Sequence, residues 1–369
     1  MPNKPLMKRI PQLDGLRAIA ILMVFAAHAF NVPLFWMGVD LFFVLSGYLI
    51  TGILLGLKDR RAVGGSYWGS FYGRRARRIL PPYVAFLILL TIFRHVPWKH
   101  IWYWYAFFAP NVPLAFGKIP AAGMGPLWSL GVEEQFYFLW PFLLLVSTKE
   151  ALRHILLAII VISPVLRAIC TPLFDTHFPI FSLTIFRADT LAVGALIAVT
   201  ASRSPNWINE NSRKALAILI GAAALLAGFS TMHSFRAGAN SIFFNSVGYS
   251  LSAILFGGAL VYSLGYQSGM LHALLTLAPL RYLGLISYTF YLYHEVVLLR
   301  IGQALHSQAA VGLAAFVVTL IISTMSWHFF ESPILGQKRR SVSGVPSRAL
   351  RGGWEAKSVE SSEPGRQEI

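Results

Sequence analysis

The chain has little cysteine and little charge. A single cysteine, Cys170, stands among 369 residues, which excludes an intramolecular disulfide framework and any cysteine-based zinc site. Charged residues make up only 12% of the chain against 56% hydrophobic and 14% aromatic, a balance that excludes an ordinary soluble domain and points to a polytopic membrane protein. Several chemistries lack their motif. There is no Gly-x-Ser-x-Gly elbow, no Walker-type phosphate loop and no His-Glu-x-x-His metal pair. A His-x-x-x-x-Asp pair is missing too, because Pro33 stands five residues after His28. No internal repeat is present, so the inverted-repeat sign of many transporters is absent.

The charge that is present is one-sided, with a net of +16. Basic residues lie between apolar runs, the pattern of positive-inside topology, so no nucleic-acid partner is expected. Apolar runs fall near 18–35, 39–57, 80–96, 127–146, 155–170, 183–201, 215–232, 242–264, 282–301 and 311–330. They predict an all-α fold of about ten transmembrane helices. With the N-terminus inside, 23 of the 31 lysines and arginines fall in inner segments and four in outer ones, so both termini are expected to be cytoplasmic. His28 and the lack of a small-residue cleavage site make the first run a retained helix rather than a signal peptide.

The expected organisation is a cytoplasmic N-terminal tail over 1–12, a transmembrane domain over 13–333 and a disordered cytoplasmic tail over 334–369. The long outer connection from 97 to 126 carries Trp98, Trp102, Tyr103, Trp104 and Tyr105, an interfacial aromatic belt or, alternatively, a platform for a sugar ring. The glycines of Gly52-Ile53-Leu54-Leu55-Gly56 have helix-packing spacing.

Polar residues inside the spans carry the functional signal, because ionisable groups are costly in lipid. Arg17 and His28 are eleven residues apart on the first run, about 16 Å of helical rise with about 20° of net rotation, so both point down one face. The competing reading makes His28 a packing residue and lets Arg17 snorkel to the interface. Gly38-Val39-Asp40 and Leu45-Ser46-Gly47-Tyr48 follow on the second run. Arg74-Arg75-Ala76-Arg77-Arg78 abuts Ile79-Leu80-Pro81-Pro82, which reads as a loop ending at a helix start. Trp128-Ser129-Leu130 leads to Glu133-Glu134-Gln135 on the fourth run, and Phe186-Arg187-Ala188-Asp189 starts the sixth. Ser287-Tyr288 and His294 lie on the ninth, and Phe330-Glu331-Ser332-Pro333 ends the tenth.

In this order, over about 12–333, these motifs resemble the acyltransferase-3 family of integral membrane O-acyltransferases, in the stand-alone form without an appended extracytoplasmic esterase-like domain. The resemblance implies transfer of an acyl group, commonly acetyl, from cytoplasmic acyl-CoA to a hydroxyl of a cell-surface polysaccharide, lipid-linked saccharide or glycosylated small molecule. It implies a bacterial inner (plasma) membrane location, with acyl-CoA, a saccharide-containing acceptor and lipid as partners. No cofactor is expected to be permanently bound and no metal is implied. Oligomeric state is not legible. The rivals are a flippase for lipid-linked saccharides and a non-catalytic scaffold on the same fold.

Within that reading His28 is the general base, since imidazole titrates near neutrality and an attacking hydroxyl must lose its proton. Arg74, Arg75, Arg77 and Arg78 with Arg17 would hold the donor's phosphates, guanidinium forks suiting phosphate oxygens; plain topology retention is the alternative for the cluster. Glu133, favoured over Glu134 by the family's motif, supports the centre by orienting His28 or holding the acceptor. Its alternative is an interhelical hydrogen bond or a salt bridge to Arg187 or Arg167. Asp14 sits at the donor end. Asp40, Ser46, Trp128, Arg187, Ser287, Tyr288 and His294 are supporting or acceptor-binding candidates, with Asp40, Arg187 and Asp189 mainly polar ties between helices.

Overall fold

The computed structural model describes residues 10–61, 66–93, 96–118, 123–232, 234–236 and 238–336. The expected tail over 334–369 falls almost wholly outside the described residues, as do most of 1–12 and Arg94. The architecture is all-α. Eleven helices frame it: α1 (Pro11–Phe30), α2 (Gly38–Arg61), α3 (Trp68–Phe93), α4 (Leu127–Val146), α5 (Lys149–Cys170), α6 (Thr184–Arg203), α7 (Trp207–Ser230), α8 (Tyr249–Gly265), α9 (Gly269–Thr276), α10 (Ala278–Ile301) and α11 (Gln308–Ser326). Among the described residues eight helices are long and apolar enough to cross a membrane, and α9 with α10, bent by 54°, would make a ninth span. The 20-residue α4 carries Glu133, Glu134 and Gln135 and is less apolar than these. This is a multi-pass membrane protein.

Each run read from the sequence lies on one of these helices, with boundary shifts that matter. Helix α1 starts at Pro11, where the missing amide costs nothing, and stops at Asn31 in the left-handed region (φ 53°). Helix α3 starts at Trp68, so the arginines expected in a loop lie on a helix that continues through Pro81 and Pro82. Its early turns are fastened by burial: Tyr67, Phe71 and Ile79 pack with Trp140 and Leu144, and the Tyr67 hydroxyl donates to the Pro141 carbonyl at 2.9 Å.

Helices α1, α2, α6, α8 and α10 form the inner bundle, while α3, α5, α7 and α11 leave most of their surface outward. Close packing runs between α2 and α6 and between α1 and α10. A Cβ at Gly47 would strike the Leu191 carbonyl and one at Gly194 the Val44 carbonyl, so these two glycines set the first crossing. Gly56, of the spacing noted in the sequence, faces open space. Inside the bundle two buried ion pairs tie helices together. Asp40 accepts from Arg187 and from Ser252, and Arg167 holds Asp189 through two bonds of 3.0 and 2.7 Å. The 97–126 connection divides in two: Trp102 and Tyr103 face outward, whereas Tyr105, Asn111 and Leu114 are buried in the bundle.

Candidate functional site

Among the described residues, two neighbouring cavities in the bundle are both bordered by Val39 and Tyr291. The inner one, about 770 Å³ including space open to solvent, is lined by Arg17 of α1, Ser46 of α2, Arg75 and Arg78 of α3, Glu133 and Tyr137 of α4, and Ser287 and Tyr288 of α10. Helical periodicity sorts the arginine cluster. Arg75 and Arg78, three apart, face the cavity with Ile79, while Arg74 and Arg77 are exposed on the other side and Arg77 Nε donates to its own helix at Gly73. Of the five arginines expected from the sequence to hold the donor, Arg75, Arg78 and Arg17 line this cavity, and Arg74 and Arg77 do not. Asp14, buried, sits 3.6 Å from Arg17. Three guanidinium groups and one lining carboxylate, Glu133, leave the chamber positive, suited to an anion.

Glu133 does not reach His28. Its Oε1 accepts from Ser46 Oγ at 2.6 Å, and Ser46 Oγ in turn accepts from the Tyr137 hydroxyl at 2.9 Å. Arg75 lies over the Tyr137 ring at 4.6 Å. Arg187 and Arg167, the other partners considered for Glu133, are taken by Asp40 and Asp189. Ser287 bonds back to Gly284 O at 2.9 Å, and Tyr288 donates to Ile79 O at 3.2 Å, joining α10 to the arginine-bearing helix.

The outer cavity, about 1140 Å³ on the same measure, contains His28, Trp36, Trp128, Phe178, Phe181 and Glu295 on its walls. His28 is exposed to it; His294 behind is fully buried. His28 Nδ1 lies 2.8 Å from His294 Nε2, and His294 Nδ1 lies 2.6 Å from the Tyr291 carbonyl. A carbonyl only accepts, so His294 carries a proton on Nδ1, and as a neutral imidazole its Nε2 accepts from His28 Nδ1–H. His28 Nε2 is then the unprotonated nitrogen. The sequence placed both histidines at similar depth; their pairing across 266 residues is a product of the α1–α10 contact.

Trp128 is buried with its ring 4.3 Å from that of Phe181, and both rings flank the Arg187 guanidinium at about 6 Å. Asp40 and Arg187 sit beneath this wall rather than on it. Tyr291 separates the chambers, held by Ser129 at 2.6 Å and by its own donation to Pro126 O at 2.9 Å. Sequence reasoning did not select Tyr291, Trp36 or Glu295 for the site. Glu295 had a signal: it is the single acidic residue of α10, and an acid within a span is a site candidate on cost alone.

A multi-helix membrane bundle with a cationic chamber behind a histidine-bearing aromatic one defines the class. The family model for an acyltransferase domain matches residues 10–328, and the chain belongs to this family, the acyltransferase-3 family. Among relatives, "Putative peptidoglycan O-acetyltransferase YrhL" of Bacillus subtilis is 29% identical, covering 90% of this chain and 56% of its own length. The peptidoglycan O-acetyltransferase of Listeria monocytogenes is 28% identical over 89% of this chain and 56% of its own. "Putative O-acetyltransferase SACOL0978" of Staphylococcus aureus is 28% identical, covering 92% of this chain and 60% of its own length. The chain thus spans somewhat over half the length of these relatives. No solved structure matches.

Proposed function

We propose that the protein is a membrane O-acyltransferase of the bacterial plasma membrane that takes an acyl group, acetyl in the simplest case, from cytoplasmic acyl-CoA and places it on a saccharide hydroxyl. The observation that carries the reading is the fixed tautomer of His28, an unprotonated imidazole nitrogen on the wall of a cavity next to the cationic chamber. The phosphates of the donor bind Arg75, Arg78 and Arg17, and its extended arm carries the thioester toward Val39 and Tyr291. An acceptor hydroxyl in the outer cavity loses its proton to His28 Nε2 as its oxygen attacks the thioester carbonyl; the thiolate leaves and takes up a proton. His294 and the Tyr291 carbonyl stabilise the imidazolium so formed. The names of the relatives, two of them peptidoglycan O-acetyltransferases, support a glycan acceptor, and the family favours transfer over transport. Membranes holding the protein, incubated with radiolabelled acetyl-CoA, should yield base-labile label on saccharide, absent in His28→Ala. No such label, or equal label in the variant, would refute the reading.

A further inference from the structure

The outer cavity contains two polar atoms that nothing in the catalytic account uses. Among the described residues, Trp36 Nε1 and Glu295 Oε2 are buried without a hydrogen-bond partner, and both side chains line the cavity that exposes His28. Unpaired buried donors and acceptors are destabilising, and such pairs persist where a ligand completes them. Gly125, also on the wall, leaves room beside the carboxylate: a Cβ there would stand 3.3 Å from Glu295 Oε2.

The chemistry of the walls restricts the ligand. Among the described residues no lysine or arginine lines this cavity and its one acid is Glu295, which disfavours an anionic group here where the inner chamber attracts it. A carboxylate accepts hydroxyl protons, an indole N–H donates to a ring or hydroxyl oxygen, and the rings of Trp128, Phe178 and Phe181 cover apolar C–H faces. One class of molecule offers all three features, an uncharged pyranose.

We propose that Trp36 and Glu295 are the acceptor-binding residues of this cavity: Glu295 accepts from one hydroxyl of an uncharged pyranoside and Trp36 donates to another oxygen of it, leaving a further hydroxyl at His28 Nε2. This rests on the outer cavity being the acceptor side of the proposed transfer. It assigns a binding role to Glu295, which sits one residue from His294 on α10, and to the Trp36 indole N–H, on a wall that also carries Trp128, Phe178 and Phe181.

The test uses the full-length protein purified in detergent. Methyl glycosides of glucose, galactose, N-acetylglucosamine and rhamnose are titrated against it, and acetyl-CoA is titrated separately. Glu295→Gln keeps the shape and Trp36→Phe keeps a ring without the N–H; each should weaken the bound glycoside about tenfold or more, as expected for the loss of a hydrogen bond to a charged or fully desolvated group, with acetyl-CoA affinity unchanged. Gly125→Ala, which crowds the carboxylate, gives a third variant should either of the others fail to elute as native protein, and it should also weaken the glycoside. Unchanged glycoside affinity in the natively eluting variants overturns the proposal. So does wild-type protein that binds none of the four glycosides, and in that case acetyl-CoA binding still reports on the transferase reading independently, which fails if the donor does not bind.

Discussion

The two cavities share Val39 and Tyr291 and are otherwise built from opposite materials. The inner one is walled by three arginines and a carboxylate that is occupied by Ser46; the outer one has aromatic rings, an imidazole and an acid, and no lysine or arginine among the described residues. Both are assembled from the same α1, α2, α4 and α10, so the difference comes from where along each helix the residue lies. Arg17 and His28 make the point on one helix, each opening into a different chamber. Charge in this molecule therefore has two uses. At the inner mouth it faces a cavity, whereas Asp40–Arg187 and Arg167–Asp189 are closed inside the bundle, where they hold helices.

The largest effect should come from the outer chamber. His28→Gln keeps much of the size of the side chain but removes the base, and turnover at saturating substrates should fall by about 10²–10⁴, measured as acetyl transfer per mole of protein. Next is the closed pair. Asp40→Ala leaves Arg187 buried with its main partner gone, which should cost about 3–5 kcal/mol of stability and appear as a large drop in thermal midpoint or in accumulated protein. A small drop would mean that Arg187 is already solvated and that structural and ligand-facing charge are not sharply divided.

The inner chamber gives a finer contrast on α3 itself. Arg75→Gln or Arg78→Gln should each raise the acetyl-CoA dissociation constant about tenfold or more, since a charge-assisted contact is worth about 1.5–3 kcal/mol. Arg74→Gln and Arg77→Gln, on the exposed side, should change it less than about twofold, the range of a screened surface charge. Equal losses from all four would reduce the cluster to a general attraction. The smallest effect should be that of Trp102→Ala on the outward-facing part of the 97–126 connection, with transfer within about twofold of wild type.

The spans were legible because apolar runs of this length have one stable arrangement in a bilayer. What hydropathy hides is a helix that begins in water. The turns of α3 before Pro81 are polar on one side, so hydropathy alone gives a loop there and hides the periodicity that sorts Arg75 and Arg78 from Arg74 and Arg77. The alignment of Arg17 with His28 was visible locally, whereas the His28–His294 pair depends on a contact between the first and the last third of the chain. Glu133 stood out as a buried acid, but only three dimensions show that Ser46, not His28, is its partner. Glu295 and Trp36 lay outside the quoted motifs, and their unpaired atoms have no sequence signature.

The division of labour between the chambers is tested most directly by measuring acetyl-CoA binding and single-turnover transfer on the same preparations of His28→Gln and of the double variant Arg75→Gln/Arg78→Gln. The account predicts that His28→Gln binds the donor as wild type does and does not transfer, while the arginine variant binds it weakly and recovers transfer as the donor concentration is raised. Near-normal transfer by His28→Gln, or donor affinity unchanged in the arginine variant, would contradict it.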